Sequence, residues 1–259
     1  MRSPTRTRQG HTLALTLAAV SALGLQAANA AAPGAGTCSA SSGAIPPTVV
    51  ELYTSEGCSS CPPADRWLSA LKAGPQLLAL AFHVNYWDRL GWPDRFASPA
   101  ATERQRQLPP NREAGQVYTP QVLVDGGDWR RWPALPAARE RGTVPTLRLG
   151  RDGGAAVAEI GALGPNAGAG YLAGYLSGYW AVLEDGHETK VRAGENRGET
   201  LRHDHVVRAY LPVPAWPASQ PQRLVWTPPP GEPGHGQRLV FIVTDAATQK
   251  PLQALALGC

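Results

Sequence analysis

The stretch TSEGCSSCPPADRW, from Thr54 to Trp67, restricts the fold more than any other. Two cysteines three positions apart are followed at once by two prolines. Proline has no backbone N–H, and a first helical turn has no use for one, so Pro62 and Pro63 mark a helix start. Trp67, Leu68 and Leu71 then recur at helical spacing, and Gly74-Pro75 ends the pattern. Before the cysteines, TVVELYTS (Thr48 to Ser55) is short, β-branched and apolar, the signature of a buried strand. The cysteine pair therefore stands at a strand-to-helix junction.

The same reading carries along the chain. LLALAFHVNYW (Leu77 to Trp87) reads as a second buried strand. Ala97 to Leu108 reads as a polar helix, with Ser98 as cap, Pro99 in first position, and Arg104 and Arg106 on a solvated face. TPQVLVDGG (Thr119 to Gly127) reads as a third strand with GDWRRW as hairpin partner, and PALPAARERG as a closing helix. Alternation of strands and helices predicts a parallel pair with crossover helices and an antiparallel edge. From about Thr143 the character changes. TLRLG, AAVAEIG, YWAVLEDG, TKVRAG, HVVRAYL, RLVWT, RLVFIVTD and ALALG are short strand candidates separated by turn residues. The expected fold class is α/β: a thioredoxin-like domain over residues 48–142, followed by a small β-rich, sandwich-like domain over 143–259.

Residues 1–30 carry Arg2, Arg6 and Arg8, then the apolar run Leu13 to Leu25, then Ala28-Asn29-Ala30. This is the pattern of a secretory signal peptide, too short for a comfortable membrane span. Residues 31–47 read as a flexible lead-in. The chain is expected to be exported, periplasmic or extracellular, with no membrane span in its mature part. Of 24 Lys and Arg, three lie in residues 1–30, which hold no Asp or Glu; 21 remain against 20 acidic residues. Such a balance supplies no electrostatic case for nucleic acid. An oxidising compartment makes disulfides of an even cysteine count. Cys58 with Cys61 is the local pairing, which leaves Cys38 with Cys259 near the two ends of the mature chain.

The junction gives the local pair its chemistry. Unpaired N–H groups and the dipole at a helix start favour a thiolate and lower a thiol from about 8.5. Cys58 is the expected nucleophile, and Cys61, one turn on, the resolving thiol. Glu56 opposes thiolate formation if it faces the sulfur. A structural zinc site needs about four ligands, and no second cysteine pair exists. Haem attachment requires His after the second cysteine, where this chain has Pro62. No metal or cofactor is assigned. A facing proline loop is expected at Thr119-Pro120, with a cis bond; Pro145 also opens a strand, but Pro120 follows the second strand and polar helix in the required order. Tyr118, Thr119, His83 and Trp87 are the expected substrate-facing residues, and Tyr86, Asp88 and Trp92 extend that wall. His203 and His205 share a face if they lie on one strand, and ENRG (Glu195 to Gly198) reads as a turn.

ELYTSEGCSSCPPAD, HVNYWDRLGWPDRFASPAATERQRQ, VYTPQVLVDG and RAGENRGETLRHDHVVRAYL together resemble the exported domain-of-unknown-function family 1223 over about residues 48–259. The resemblance implies a thioredoxin-like domain with Cys58, Cys61 and Pro120 at its site, and supplies no substrate. The expected function is thiol–disulfide exchange with a protein or small thiol/disulfide substrate. Two other classes stay open: a periplasmic copper-handling protein using Cys58, Cys61 and His83 as ligands, and a non-catalytic binding module with the pair as a permanent staple.

Overall fold

The computed structural model describes residues 38–137, 143–164 and 174–259, together with Met1. The expected signal peptide beyond Met1, residues 31–37 of the lead-in and residues 138–142 of the expected closing helix lie outside these residues, and the described part of the lead-in, expected to be flexible, holds a short strand. In chain order the elements are β1 (Ser39–Ser41), β2 (Thr48–Thr54), α1 (Pro62–Ala70), β3 (Leu77–His83), a single 3-10 turn at Asp88–Leu90, α2 (Pro99–Gln107), α3 (Pro109–Ala114), β4 (Gln121–Val124) and β5 (Gly127–Asp128). There follow β6 (Leu147–Asp152), β7 (Ala155–Ile160), β8 (Tyr175–Glu184), β9 (His187–Lys190), β10 (Thr200–His203), β11 (Val206–Pro217), β12 (Gln222–Trp226), β13 (Gln237–Asp245) and β14 (Pro251–Leu257).

The fold is β-rich, and the expected α/β class is corrected. Of the described residues 42% are strand and 12% helix, the latter in three helices. The expected thioredoxin-like domain is therefore not supported. The physical reason lies in who pairs with β3. One edge of β3 runs parallel to β2, joined through α1, but its other edge meets β11 at Val206, where Ala81 N–H donates to His205 O at 2.8 Å. A strand from the later part of the chain thus takes the place a crossover-wound strand would occupy. The result is one eight-stranded sheet in the order β14-β13-β8-β11-β3-β2-β4-β5. A four-stranded antiparallel sheet, β1-β6-β7-β12, and the β9–β10 hairpin complete the fold.

The alternation of residues along β2 shows how the large sheet is covered. Val50 and Leu52 face one side and meet Ala64 and Leu68 of α1. Val49 and Tyr53 face the other side, with Leu80, Phe82, Ala101 of α2 and Tyr179. Further along the sheet, Trp180 and Val182 of β8 and Phe241 and Val243 of β13 pack against Leu147, Leu149, Ala158 and Ile160 of the smaller sheet. A strand buried on both faces has no polar face, which is why β2, β3 and β8 read as continuous apolar runs.

Local signals hold at several ends. Ser98 Oγ accepts from Ala101 N–H at 3.1 Å and caps α2. The β4–β5 hairpin turns at Asp125-Gly126, both with positive φ. A Cβ on Gly126 would lie 3.1 Å from Lys250 Cα, so the close approach of the β13–β14 turn also requires glycine there. Two expectations fail. The described part of the expected closing helix, Pro133 to Ala137, is turn and irregular chain. Arg104 is not on a solvated face: it is buried, and only Arg106 of the two is exposed.

Candidate functional site

The chain leaves β2 at Thr54 and makes two tight turns before α1. Cys58 N–H donates to Ser55 O at 3.1 Å, and Cys61 N–H to Cys58 O at 3.2 Å. The second turn brings the cysteines to a Cα separation of 5.5 Å, and they form a disulfide. Helix α1 begins after Cys61, which is its N-cap, so Cys61 rather than Cys58 stands directly at the helix start. Both cysteines are fully buried, while Ser59 and Ser60 between them are exposed. Cys38 and Cys259 form the second disulfide.

The loop joining β9 to β10 holds this turn in place. Asn196 Nδ2 donates to Glu56 O at 2.8 Å and Cys58 O at 3.0 Å. Glu195 Oε2 accepts from Ser59 N–H at 3.1 Å and from the Ser59 hydroxyl at 2.7 Å. These two hydrogen bonds hold Glu195 below the usual carboxylate range. The ENRG segment, expected only as a turn, thus clamps the cysteine loop through two side chains.

The residues flanking the cysteine turn, Glu56 and Asp65, belong to a cluster of buried ionisable groups. His83, the last residue of β3, has Nδ1 2.7 Å from Asp94 Oδ2. The same oxygen accepts from Glu56 N–H at 2.9 Å, and Asp94 Oδ1 accepts from Phe96 N–H. Glu56 turns its carboxylate toward Trp92, whose Nε1–H donates to Oε2 at 2.8 Å, and toward His203, whose Nε2 is 3.3 Å from Oε1. The His83 and His203 rings meet edge to face at 4.9 Å. Asp65, one helical turn after Cys61, completes the group. Glu56 Oε1, His83 Nε2 and His203 Nε2 are buried without a hydrogen bond. Asp65 and His203, with Pro62, Arg66, Leu201 and Arg202, line a cleft of about 250 Å³ that opens beside the first turn of α1.

Burial raises the Asp65 carboxyl, against the opposing pull of His203 and His83. Burial works to lower His83, but the adjacent Asp94 carboxylate outweighs it and the net shift is upward. Burial works to raise Asp94, and His83 outweighs it, so Asp94 titrates below its usual range. The two shifts fix a pH window. The His83 contribution to stability is complete below about 6.5 and is lost as pH rises through the higher folded value. The Asp94 contribution is complete above about 3.9 and is lost as pH falls through the lower folded value. Asp94→Asn is therefore expected to cost most stability between about pH 4 and 6.5 and progressively less at alkaline pH. Urea midpoints across that range check it; a cost independent of pH would rule out the charged pair.

The expected site residues divide. Trp87 bridges the cysteine turn to the proline loop: a Cβ on Gly57 would lie 3.0 Å from Trp87 Cβ, and Trp87 Nε1–H donates to Thr119 Oγ1 at 2.8 Å. The Thr119-Pro120 bond is cis; Pro145, by contrast, precedes β6 of the smaller sheet. Tyr118 turns its hydroxyl to Asp128 at 2.5 Å, and burial with that carboxylate pushes it up to about 12. His83 is not substrate-facing, because its side chain is wholly buried against Asp94. His203 and His205 do not share a face. His203 ends β10 inside the cluster, and His205, at φ 58°, lies near Arg238 and Asp185. Glu56, Asp65, Asp94, Glu195 and Asn196 were not legible as a group, since they come from three separate stretches of the chain.

The structure is similar to a crystal structure of a protein from Agrobacterium tumefaciens, at 25% identity and a TM-score of 0.57, covering 82% of this chain and 94% of that one. HBP35 of Porphyromonas gingivalis matches at 13% identity and a TM-score of 0.47, over 83% of this chain and 76% of that one. No curated protein matches the chain. The family model described as "Protein of unknown function (DUF1223)" matches residues 49–244, and the chain belongs to that family.

Proposed function

We propose that the protein carries out thiol–disulfide exchange through Cys58 and Cys61 in an exported compartment. The carrying observation is that the Cys58–Cys61 bond sits in the turn between Glu56 and Asp65, two members of a cluster of buried ionisable side chains, of which Asp65 and His203 line an open cleft. Burying ionisable groups is costly, and clusters of shifted groups concentrate where proton transfer is needed. Two disulfides fit an oxidising compartment, and no helix among the described residues is long and apolar enough to cross a membrane.

In the reduced protein, the Cys58 thiolate attacks a substrate disulfide and one substrate sulfur leaves as a thiolate. The Cys61 thiolate then attacks Cys58 in the mixed disulfide, expels the second substrate sulfur and restores the Cys58–Cys61 bond. Two electrons pass from the dithiol to the substrate, and the reverse sequence oxidises a substrate dithiol. Asp65, one turn from Cys61 and raised by burial, is suited to exchange a proton with the resolving thiol. Because both cysteines are buried, exchange requires the contacts of Glu195 and Asn196 to open.

The mature protein, equilibrated in thiol/disulfide buffers of graded potential, is expected to show a reversible two-electron couple. Cys58→Ser abolishes it, and Cys61→Ser accumulates a mixed disulfide with a small disulfide substrate. The burial of both sulfurs favours the rival in which the bond is a permanent staple. If no dithiol form can be made and reoxidised while the protein stays folded, the rival is right.

A further inference from the structure

A second group of potential ligands adjoins the buried cluster, since His187 pairs in register with His203 and its ring meets Phe96, which also touches His83 and His203. His187 opens β9, and Glu232 and His235 come from the proline- and glycine-rich connection TPPPGEPGHG between β12 and β13. One donor atom from each lies within 4.8 Å of the other two. We propose that His187, Glu232 and His235 form a binding site for a zinc-class divalent cation.

Hydrogen bonding prepares both imidazoles. His187 Nε2 is 3.1 Å from a carboxylate oxygen of Glu184. The other partners of Glu184 are all donors: Arg208, Gln237 and the Glu232 backbone N–H. Glu184 is thus an acceptor, Nε2 carries the hydrogen, and Nδ1 of His187 keeps its lone pair. His235 Nδ1 lies 2.7 Å from the Asp185 backbone oxygen, which can only accept, so Nε2 of His235 keeps its lone pair. A histidine whose second nitrogen donates to a carboxylate or a carbonyl is the arrangement found behind metal ligands, where it fixes the tautomer and the ring. The rings stack at 3.8 Å with 20° between their planes, so their lone pairs lie in nearly parallel planes and the His235 ring must turn for both nitrogens to meet one ion.

The connection is also held in shape. Glu232 N–H donates to Glu184 Oε1 at 2.9 Å, and His235 N–H to Glu232 O at 3.1 Å. Two imidazoles and one carboxylate match the borderline character of zinc and leave a coordination position for water or a ligand. Glu232 is engaged by Arg95, whose Nη2 lies 2.6 and 2.5 Å from its two oxygens, and more distantly by Arg208 at 3.5 Å. The Arg95 side chain is 44% exposed and can swing away, so it competes with the cation for Glu232 rather than blocking the site.

The test uses untagged mature protein with both disulfides formed, stripped with a chelator and titrated with Zn(II) by calorimetry. Co(II) absorbance reports the ligand set. One equivalent per chain is expected. His235→Ala and Glu232→Gln, both at the rim, should each abolish saturable binding, and Arg95→Ala should tighten it. The Cys58→Ser/Cys61→Ser protein should bind as the parent does, so the site stands or falls apart from the redox reading. Absence of saturable binding, or binding that survives both rim substitutions, overturns the proposal.

Discussion

Replacing Arg104 by methionine is expected to lower the free energy of unfolding by about 3–5 kcal/mol. Arg104, on α2, donates to Glu51 from Nη2 at 2.8 Å and from Nη1 at 3.1 Å. The guanidinium also reaches the Tyr53 hydroxyl, and the Tyr179 hydroxyl donates to Glu51. Its plane is lined by Phe82 and Tyr179, with centroids 4.9 and 4.6 Å from Cζ. Burial pushes the Tyr53 and Tyr179 hydroxyls up, so both stay neutral, Tyr53 accepting from Arg104 and Tyr179 donating to Glu51. Methionine keeps much of the volume but leaves the Glu51 carboxylate buried with no cation. The cost comes mainly from that stranded charge. Arg104→Met combined with Glu51→Leu should therefore recover a large part of the loss. Urea unfolding of the single and double variants decides it: a double variant no more stable than the single one would mean that packing, not charge, sets the cost.

Removing the Cys38–Cys259 bond is expected to be the next most damaging change. It closes a loop spanning a sequence separation of 221 residues. The chain-entropy account puts such a cross-link at about 5 kcal/mol, and measured losses for native disulfides run from about 2 to 5. The bond ties β1 to the residues just beyond β14. Cys38 O accepts from Arg151 N–H at 3.0 Å, so the anchored end also edges the smaller sheet through β6. The paired substitution Cys38→Ala/Cys259→Ala should lower the urea midpoint substantially while leaving any Cys58–Cys61 couple measurable. A loss below about 1 kcal/mol would show that the unfolded chain already holds its ends together.

Much of the secondary structure was legible because its signals are local. Pro62-Pro63 announced α1, Ser98-Pro99 announced α2, and all eight strand candidates after Thr143 overlap observed strands. The short α3 was missed, although Pro109 and Pro110 stand in its first turn, where proline is tolerated. Arg104 was misread for a related reason. In TERQRQ every side chain is polar, and nothing in that run distinguishes the one arginine that meets Glu51 across the core.

The strand-to-helix setting of Cys58 and Cys61, the expectation of disulfides from an even cysteine count and the family could all be read from the sequence; that Cys38 joins Cys259 rests on the structure. The first three depend on neighbouring residues, on a count and on long motifs. Tertiary structure alone decided which strand lies beside β3, and with it the fold class. It also decided that Glu56, Asp65, His83, Asp94 and His203 meet in one buried cluster, and that Glu232 and His235 meet His187. Strand propensity and helix caps act over a few residues, whereas sheet order and buried charge pairs join positions far apart in the chain. A polar residue in a one-dimensional pattern carries no mark of the partner that will make its burial tolerable.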